Sequence, residues 1–240
     1  MKNTMLLTVL VIISAAVLLT GCTSGNQPAP ATSAPAASQS GQASSEKAPE
    51  GNAPTWLVRY KFKSADGAEA LSIKRYADHD KIELNSEGVT AVFKGRTDVP
   101  ERVKYKELAG EAGGEKQLVA EVKIKPDSIK LVDEKEALLW KVKFNDDKIK
   151  ISNNEEGTNS CEIKLKDPAK GEIRDASGNE IGNVRFYPDN GKLKVKDAGG
   201  AEILISKDSQ FSMGPGVILF KHIPIQHRAV IISEIMRRGR

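Results

Sequence analysis

The stretch NDDKIKIS, residues 145–152, sets an asparagine and two acids before a run in which lysine and isoleucine alternate. A polar turn followed by a period of two is the pattern of a β-strand leaving a hairpin, because successive strand side chains point to opposite faces. The chain repeats the phrase as DHDKIEL at 78–84 and as PDNGKLKV at 188–195. The surroundings repeat as well. Upstream of each copy stands an acidic or glycine-containing turn ending in Glu: Asp66-Gly67-Ala68-Glu69, Asp133-Glu134-Lys135-Glu136 and Ser177-Gly178-Asn179-Glu180. An aromatic side chain comes next (Tyr76, Phe144, Tyr187), and a glycine follows each alternating run (Gly88, Gly157, Gly199). Each unit therefore reads strand, turn, strand, turn. Asp, Asn and Gly serve the turns because their backbones accept conformations that other residues resist.

Working outward, the same alternation marks WLVRYKFK (56–63), AEVKIK (120–125), WKVKF (140–144), CEIKLK (161–166), NVRFY (183–187) and KLKVK (192–196). The copies are unevenly spaced, with extra sequence around 97–127, which argues against a solenoid of fixed period. The expected fold is mainly β: an antiparallel meander of repeated hairpins, closed as a barrel or folded as a sandwich, with about a dozen strands and few unpaired edges. GVILF (216–220) reads as a last buried strand. Pro224 then opens PIQHRAVIISEIMRRGR, whose apolar crowding predicts one terminal helix packed on the sheet or inside the barrel. Arg237 and Arg238 suit the negative end of its dipole, and Gly239 suits its terminus.

Two stretches, DASGNEIGNVRF (175–186) and RAVIISEI (228–235), give this plan a likeness to known proteins. Strands followed by one apolar terminal helix resemble the tubby and LURP-one-like barrels, in which the strands enclose the C-terminal helix. The resemblance implies lipid or membrane-surface binding and assigns no residue.

The N-terminus has a different texture. Lys2 precedes an apolar run from Met5 to Leu19, broken only by Thr8 and Ser14, and small residues follow, the order of a secretory signal. The run is about 15 residues, short of the roughly 20 that span a bilayer. Leu19-Thr20-Gly21-Cys22 resembles the lipobox of bacterial lipoproteins. In that family a diacylglyceryl group is attached to the cysteine sulfur, the leader is cut just before it, and the freed amine is often acylated. The resemblance covers residues 1–22 and implies lipidation of Cys22, since two or three acyl chains hold a protein stably where one does not. An Asp after the cysteine tends to retain Gram-negative members at the inner membrane. Thr23 stands there, so in a host with two membranes the outer one is favoured.

Three segments are thus expected: a lipoprotein signal peptide over 1–21, the lipidated cysteine with a tether over 22–55, and a β-rich domain over 56–240. The tether is Ala, Ser, Pro, Gly and Gln with almost no bulky apolar side chain, too little to offset its ordering entropy. A flexible chain of that length reaches about 30 Å, enough to lift a domain off a bilayer.

Composition narrows the function. The 36 basic residues nearly balance the 32 acidic ones, and aromatic residues are 5% of the chain, which disfavours a nucleic-acid partner. Candidate catalytic residues fail on their context. His79 sits in a turn whose other copies hold Asp146-Asp147 and Asp189-Asn190, so a hairpin tip explains it. His222 and His227 have no Cys or carboxylate at metal-ligand spacing. Cys161 opens a strand and reads as a small buried hydrophobe. Ser212, in FSMGPG (211–216), lacks the Gly-X-Ser-X-Gly arrangement of hydrolases.

No catalytic, cofactor-binding or metal residue is therefore assigned; Cys22 is the one site, for lipidation. The outward lysines (Lys61, Lys63, Lys141, Lys143, Lys192 and Lys194 among them) read first as solubilising strand faces. They would also attract lipid headgroups or cell-wall polymers. The expected protein is a lipid-anchored, non-catalytic binding or structural module of the cell envelope. Its possible partners are the membrane, an envelope protein, lipid headgroups or a cell-wall polymer. The alternatives are a lipid-carrying barrel and an anchored hydrolase with a site assembled from distant loops.

Overall fold

The computed structural model describes residues 56–109, 114–207 and 209–240. Residues 1–55, where a signal peptide, a lipidated Cys22 and a tether are expected, lie outside the described residues. Fourteen strands follow one another: β1 (Val58–Lys63), β2 (Glu69–Arg75), β3 (His79–Ser86), β4 (Val89–Val99), β5 (Arg102–Ala109), β6 (Gly114–Ile124) and β7 (Ser128–Val132). Then come β8 (Leu138–Phe144), β9 (Lys148–Ser152), β10 (Cys161–Asp167), β11 (Lys170–Arg174), β12 (Glu180–Tyr187), β13 (Lys192–Asp197) and β14 (Glu202–Ser206). Each pairs antiparallel with the next, and β1 meets β14, so the meander closes into a barrel.

The repeated phrase now has a place. All three copies sit at the barrel end where the chain enters β1 and leaves β14. There the amide of Tyr76 donates to the carbonyl of His79 at 2.8 Å, and that of Asn145 to Lys148 at 2.9 Å. The third copy departs from this: Pro188 starts a single 3₁₀ turn, Pro188–Asn190, which Gly191 ends in a left-handed conformation.

The opposite end carries a second repeated turn, in four copies. The amides of Ser64, Asp133, Asp175 and Asp197 each donate to the carbonyl four residues on, at 2.9 to 3.0 Å. The fourth residue of each turn has positive φ: Gly67 at 86°, Glu136 at 62°, Gly178 at 86° and Gly200 at 85°. The structure therefore shifts the alignment expected from sequence, in which Asp66 matched Asp133. Ser64 is the residue equivalent to Asp133, and Gly67 is equivalent to Glu136. In three copies the Asp at the first position accepts the turn's amides, whereas in the first copy Asp66 Oδ1 takes the Ala68 amide at 3.1 Å and the Ser64 hydroxyl donates to it. Asp133 Oδ1 takes the amides of Lys135 and Ala137, both at 2.8 Å, and Asp175 Oδ1 those of Ser177 and Asn179, both at 2.9 Å.

The lumen is full. Inward residues of the strands, such as Phe62, Ile82, Phe93, Val122, Ile163 and Val184, are wholly buried. They surround the terminal helix α1 (Ile225–Arg237), whose residues 229–236 are all buried. Eight consecutive positions cover more than two turns at 3.6 residues per turn, so every side of this stretch faces protein. Of the two placements expected, the helix takes the inner one. Each Ile or Val buried this way contributes about 1.5–3 kcal/mol relative to exposure. The helix ends as the sequence suggested: Gly239 has φ 66°, its amide donates to Met236, and the Arg240 amide reaches the carbonyl of Ile235.

One expected strand is absent. GVILF does not join the sheet; residues Gly214–Leu219 form a 3₁₀ helix, also buried, that runs back into the barrel ahead of α1. Pro215 has no amide for a central ladder, and a run of five apolar residues fits a buried turn as well as a strand. The glycines make the approach possible. A Cβ on Gly216 would stand 2.8 Å from Ile173 Cδ1, and one on Gly182, in β12, 2.2 Å from the Lys196 carbonyl and 2.5 Å from Leu219 Cδ1.

Candidate functional site

Three places bring chemistry-bearing side chains together: the two ends of the lumen and the seam between β1 and β14. At the end where the chain enters, Asp80 and Glu234 meet Arg75, Arg237 and Tyr105. Asp80 accepts from Arg75 at 3.0 Å and also pairs with Arg237. The Tyr105 hydroxyl donates to Glu234 Oε1 at 2.5 Å, and Arg237 Nε lies 3.3 Å from Glu234 Oε2. Arg75 further donates to the carbonyl of Ser233 at 2.7 Å. Burial, with the nearby Glu234 and Asp80 carboxylates, pushes the Tyr105 phenol far above its ordinary range. Two acids and two guanidinium groups cancel, and each is engaged by another member. The cluster fixes the end of α1 in the barrel and leaves no group poised for catalysis.

At the opposite end the helix start is tied down by Arg228, only 2% exposed, which donates to Glu87 Oε1 at 2.9 Å and to the carbonyl of Ile218 at 2.6 Å. Lys221 pairs with the same carboxylate. Beside this clamp His227 Nδ1 accepts from Trp140 Nε1 at 3.1 Å, so its second nitrogen carries the proton. Burial holds this imidazole below its ordinary pKa. His227 is thus held in the packing at this end by Trp140.

The same end holds the pairing that sequence reasoning missed. Cys161, at the start of β10, places Sγ 3.7 Å from Nε2 of His222, sixty-one residues away in the chain. They line a cleft of about 340 Å³ with Trp140, Asn153, Asn159 and Asp175. A thiol beside an imidazole is the start of nucleophilic chemistry, but only as thiolate and imidazolium. Here both shifts run the other way. Burial pushes the Cys161 thiol up and the Asp175 charge adds to it, while burial and then Arg228 lower the His222 imidazole. Both shifts favour the neutral thiol and the neutral imidazole, and Cys161 is buried as the sequence suggested.

His79 stands at its hairpin tip, its ring stacked on Tyr76 at 4.4 Å with Nδ1 2.7 Å from Asp78. Ser212 Oγ accepts from the Gly214 amide at 3.1 Å and donates to the Arg240 carbonyl, which ties the chain end to the 3₁₀ helix. Among the described residues no group of three or more His, Cys, Asp or Glu is placed to hold a metal ion, and no helix is long and apolar enough to cross a membrane.

The outer face carries the alternating lysines. Several are paired with carboxylates on neighbouring strands, as Lys74 is with Glu83 at 2.8 Å and Lys166 with Glu172 at 2.9 Å. The seam differs. Arg59, Lys61, Lys63 and Lys207 line a groove of about 640 Å³ together with Ile205 and the turn residues Ser64, Ala65 and Gly67. Among the described residues Glu69 is the one carboxylate paired there, 2.5 Å from Lys61 and 3.9 Å from Arg59. Next to it Trp56 and Leu57 are exposed, with Arg59 stacked over the Trp56 ring at 5.6 Å.

No family model matches the sequence, no curated protein matches it, and no solved structure matches it.

Proposed function

We propose that this chain is a lipid-anchored protein of the cell envelope, held by acyl chains on Cys22, whose barrel is a non-catalytic binding module for an anionic partner. The observation that carries the reading is the filled lumen. A carrier barrel needs an apolar cavity and an internal active site needs uncommitted polar groups, whereas here α1 and the 3₁₀ helix occupy the space and the interior charges are paired. Binding is thereby left to the exterior, where the cations cluster. The lipobox and the composition of residues 23–55 support attachment to a membrane through a flexible spacer.

The anchor is tested by mass spectrometry of the mature chain from cell membranes. An acylated Cys22 at the N-terminus is expected; an unmodified cysteine with residues 1–21 still attached contradicts it. The module is tested by titrating the full chain in detergent with a polyglycerol-phosphate polymer and a polyglutamate peptide. Saturable binding that weakens with salt is expected, because exposed cations act through screened charge. Iodoacetamide labelling separates the enzymatic alternative. Cys161 should react slowly at neutral pH and faster as pH rises. Rapid labelling at pH 6 would restore a thiol enzyme as the better reading.

A further inference from the structure

A closed barrel should have no free strand edge, yet among the described residues β1 keeps a short one at the seam where the sheet closes. β1 pairs with β2 along its whole length, from Val58 to Lys63, but with β14 only at Phe62 and Lys63. The cause is the route of the chain. After Ser206 it leaves the sheet to enter the lumen, and Ser209 donates to the carbonyl of Gly191 instead of meeting β1. Residues 58–61 therefore have no strand partner on the β14 side among the described residues. An unpaired edge is a template for another strand, which natural sheets avoid or cover.

The groove of cations lies along this edge. Arg59, Lys61 and Lys63 are spaced by two in β1, so they share its outer face, and Lys207 stands across the gap. Lys63 and Lys207 have no carboxylate partner among the described residues. Ile205 gives the groove an apolar patch. We propose that the seam is a strand-addition site: it takes an extended acidic peptide segment of another envelope protein, which pairs its backbone with residues 58–61. Carboxylates at alternate positions of that segment face Arg59, Lys61 and Lys63.

Charge selects this occupant over a second copy of the chain. Two β1 edges side by side would set Arg59, Lys61 and Lys63 against their own copies, and like charges on facing strands repel. An acidic strand meets the same three cations with attraction. The main-chain ladder supplies the binding and the alternate side chains the selectivity, as in other cases of strand addition. The inference rests on the binding-module reading and names its partner class.

The test uses the full chain in detergent and three probes. One is a fluorescent peptide of alternating Glu and Val; the second is the same peptide N-methylated at alternate residues, which keeps its charge and removes its ladder donors. The third is a phosphatidylglycerol vesicle. The plain peptide should bind, slow the exchange of the seam-facing amides among residues 58–61, and bind about tenfold or more weakly to a Lys61→Glu, Lys63→Glu variant. The methylated peptide should lose most of the affinity.

Equal binding of the two peptides overturns the proposal, because charge alone would then explain it. Binding to vesicles through the same lysines with none to the plain peptide also overturns it, in favour of a lipid surface, and leaves the binding-module reading standing. Slow exchange of the seam-facing amides among residues 58–61 in the free chain, relieved by deleting residues 23–50, would show that the tether itself fills the seam, and overturns it too. Failure to bind any of the three probes overturns both readings.

Discussion

Glu87 stands where a residue with a Cβ is costly. It has φ 54° and precedes Gly88 at φ 75°, between the paired residues Ser86 and Val89. Two consecutive positive φ values make the tight hairpin turn that asparagine and glycine usually fill. The cost, about 1–2 kcal/mol, is offset by what the side chain reaches: the buried guanidinium of Arg228 at the start of α1. Arg228 first, then Lys221, lower the Glu87 carboxyl to about 2 against an ordinary 4.5.

The sign follows from which state holds the proton. Below pH 4.5 the unfolded chain takes it up while the folded one does not, so this stabilisation is complete above 4.5 and is lost as pH falls towards 2. Glu87 is partly open to solvent, which screens the pair and discounts its worth. Glu87→Gln should destabilise the fold by about 2 kcal/mol at pH 7 and flatten the acid limb of a denaturation-versus-pH series between 4.5 and 2; an unchanged limb contradicts the clamp. Glu136 makes the useful contrast. It too has positive φ, 62°, but only solvent-facing contacts, 3.8 Å to Arg102 and 3.3 Å to Lys123. Glu136→Gly should therefore stabilise by about 1 kcal/mol, read as a higher midpoint in urea. Sequence alone gives the two glutamates the same standing, since each sits in a polar turn and the partner of Glu87 lies far along the chain.

At the scale of the element, local pattern was informative where a single period covered the run. KIKIS became β9 with the expected bounds, and CEIKLK, NVRFY and KLKVK fell within β10, β12 and β13. The helix was legible because residues 229–236 leave hardly a polar face. The 3₁₀ helix was not, because five apolar residues have no decisive period. Its fit against β12 depends on Gly182, where no Cβ can stand beside the Lys196 carbonyl and Leu219. Gly182→Ala should cost about 3 kcal/mol or more by overpacking, seen in thermal unfolding; a neutral result would mean that the 3₁₀ helix is not seated there. The contact of Cys161 with His222 was illegible for another reason, as it joins a strand start to the segment between two helical turns.

For the whole molecule, size explains the architecture. Eight strands close around a lumen that side chains alone can fill, and barrels of more strands leave space. Fourteen strands need a further element inside, and the terminal segment supplies it as a 3₁₀ helix running in and α1 running back. The hairpins were readable one by one, but the choice between barrel and sandwich was not. Closure rests on β1 and β14, the first and last strands, joined at two positions with no local signal. That late, short closure also explains why β1 keeps residues 58–61 unpaired on the β14 side among the described residues.

The filled lumen is what assigns binding to the exterior, and native-state hydrogen exchange tests it most directly. If α1 is enclosed, the amides of residues 229–236 exchange only through global unfolding, as slowly as the most protected strands. Exchange of those amides well ahead of the strands would mean that the helix leaves the barrel while the sheet stays intact, and the account would fail there.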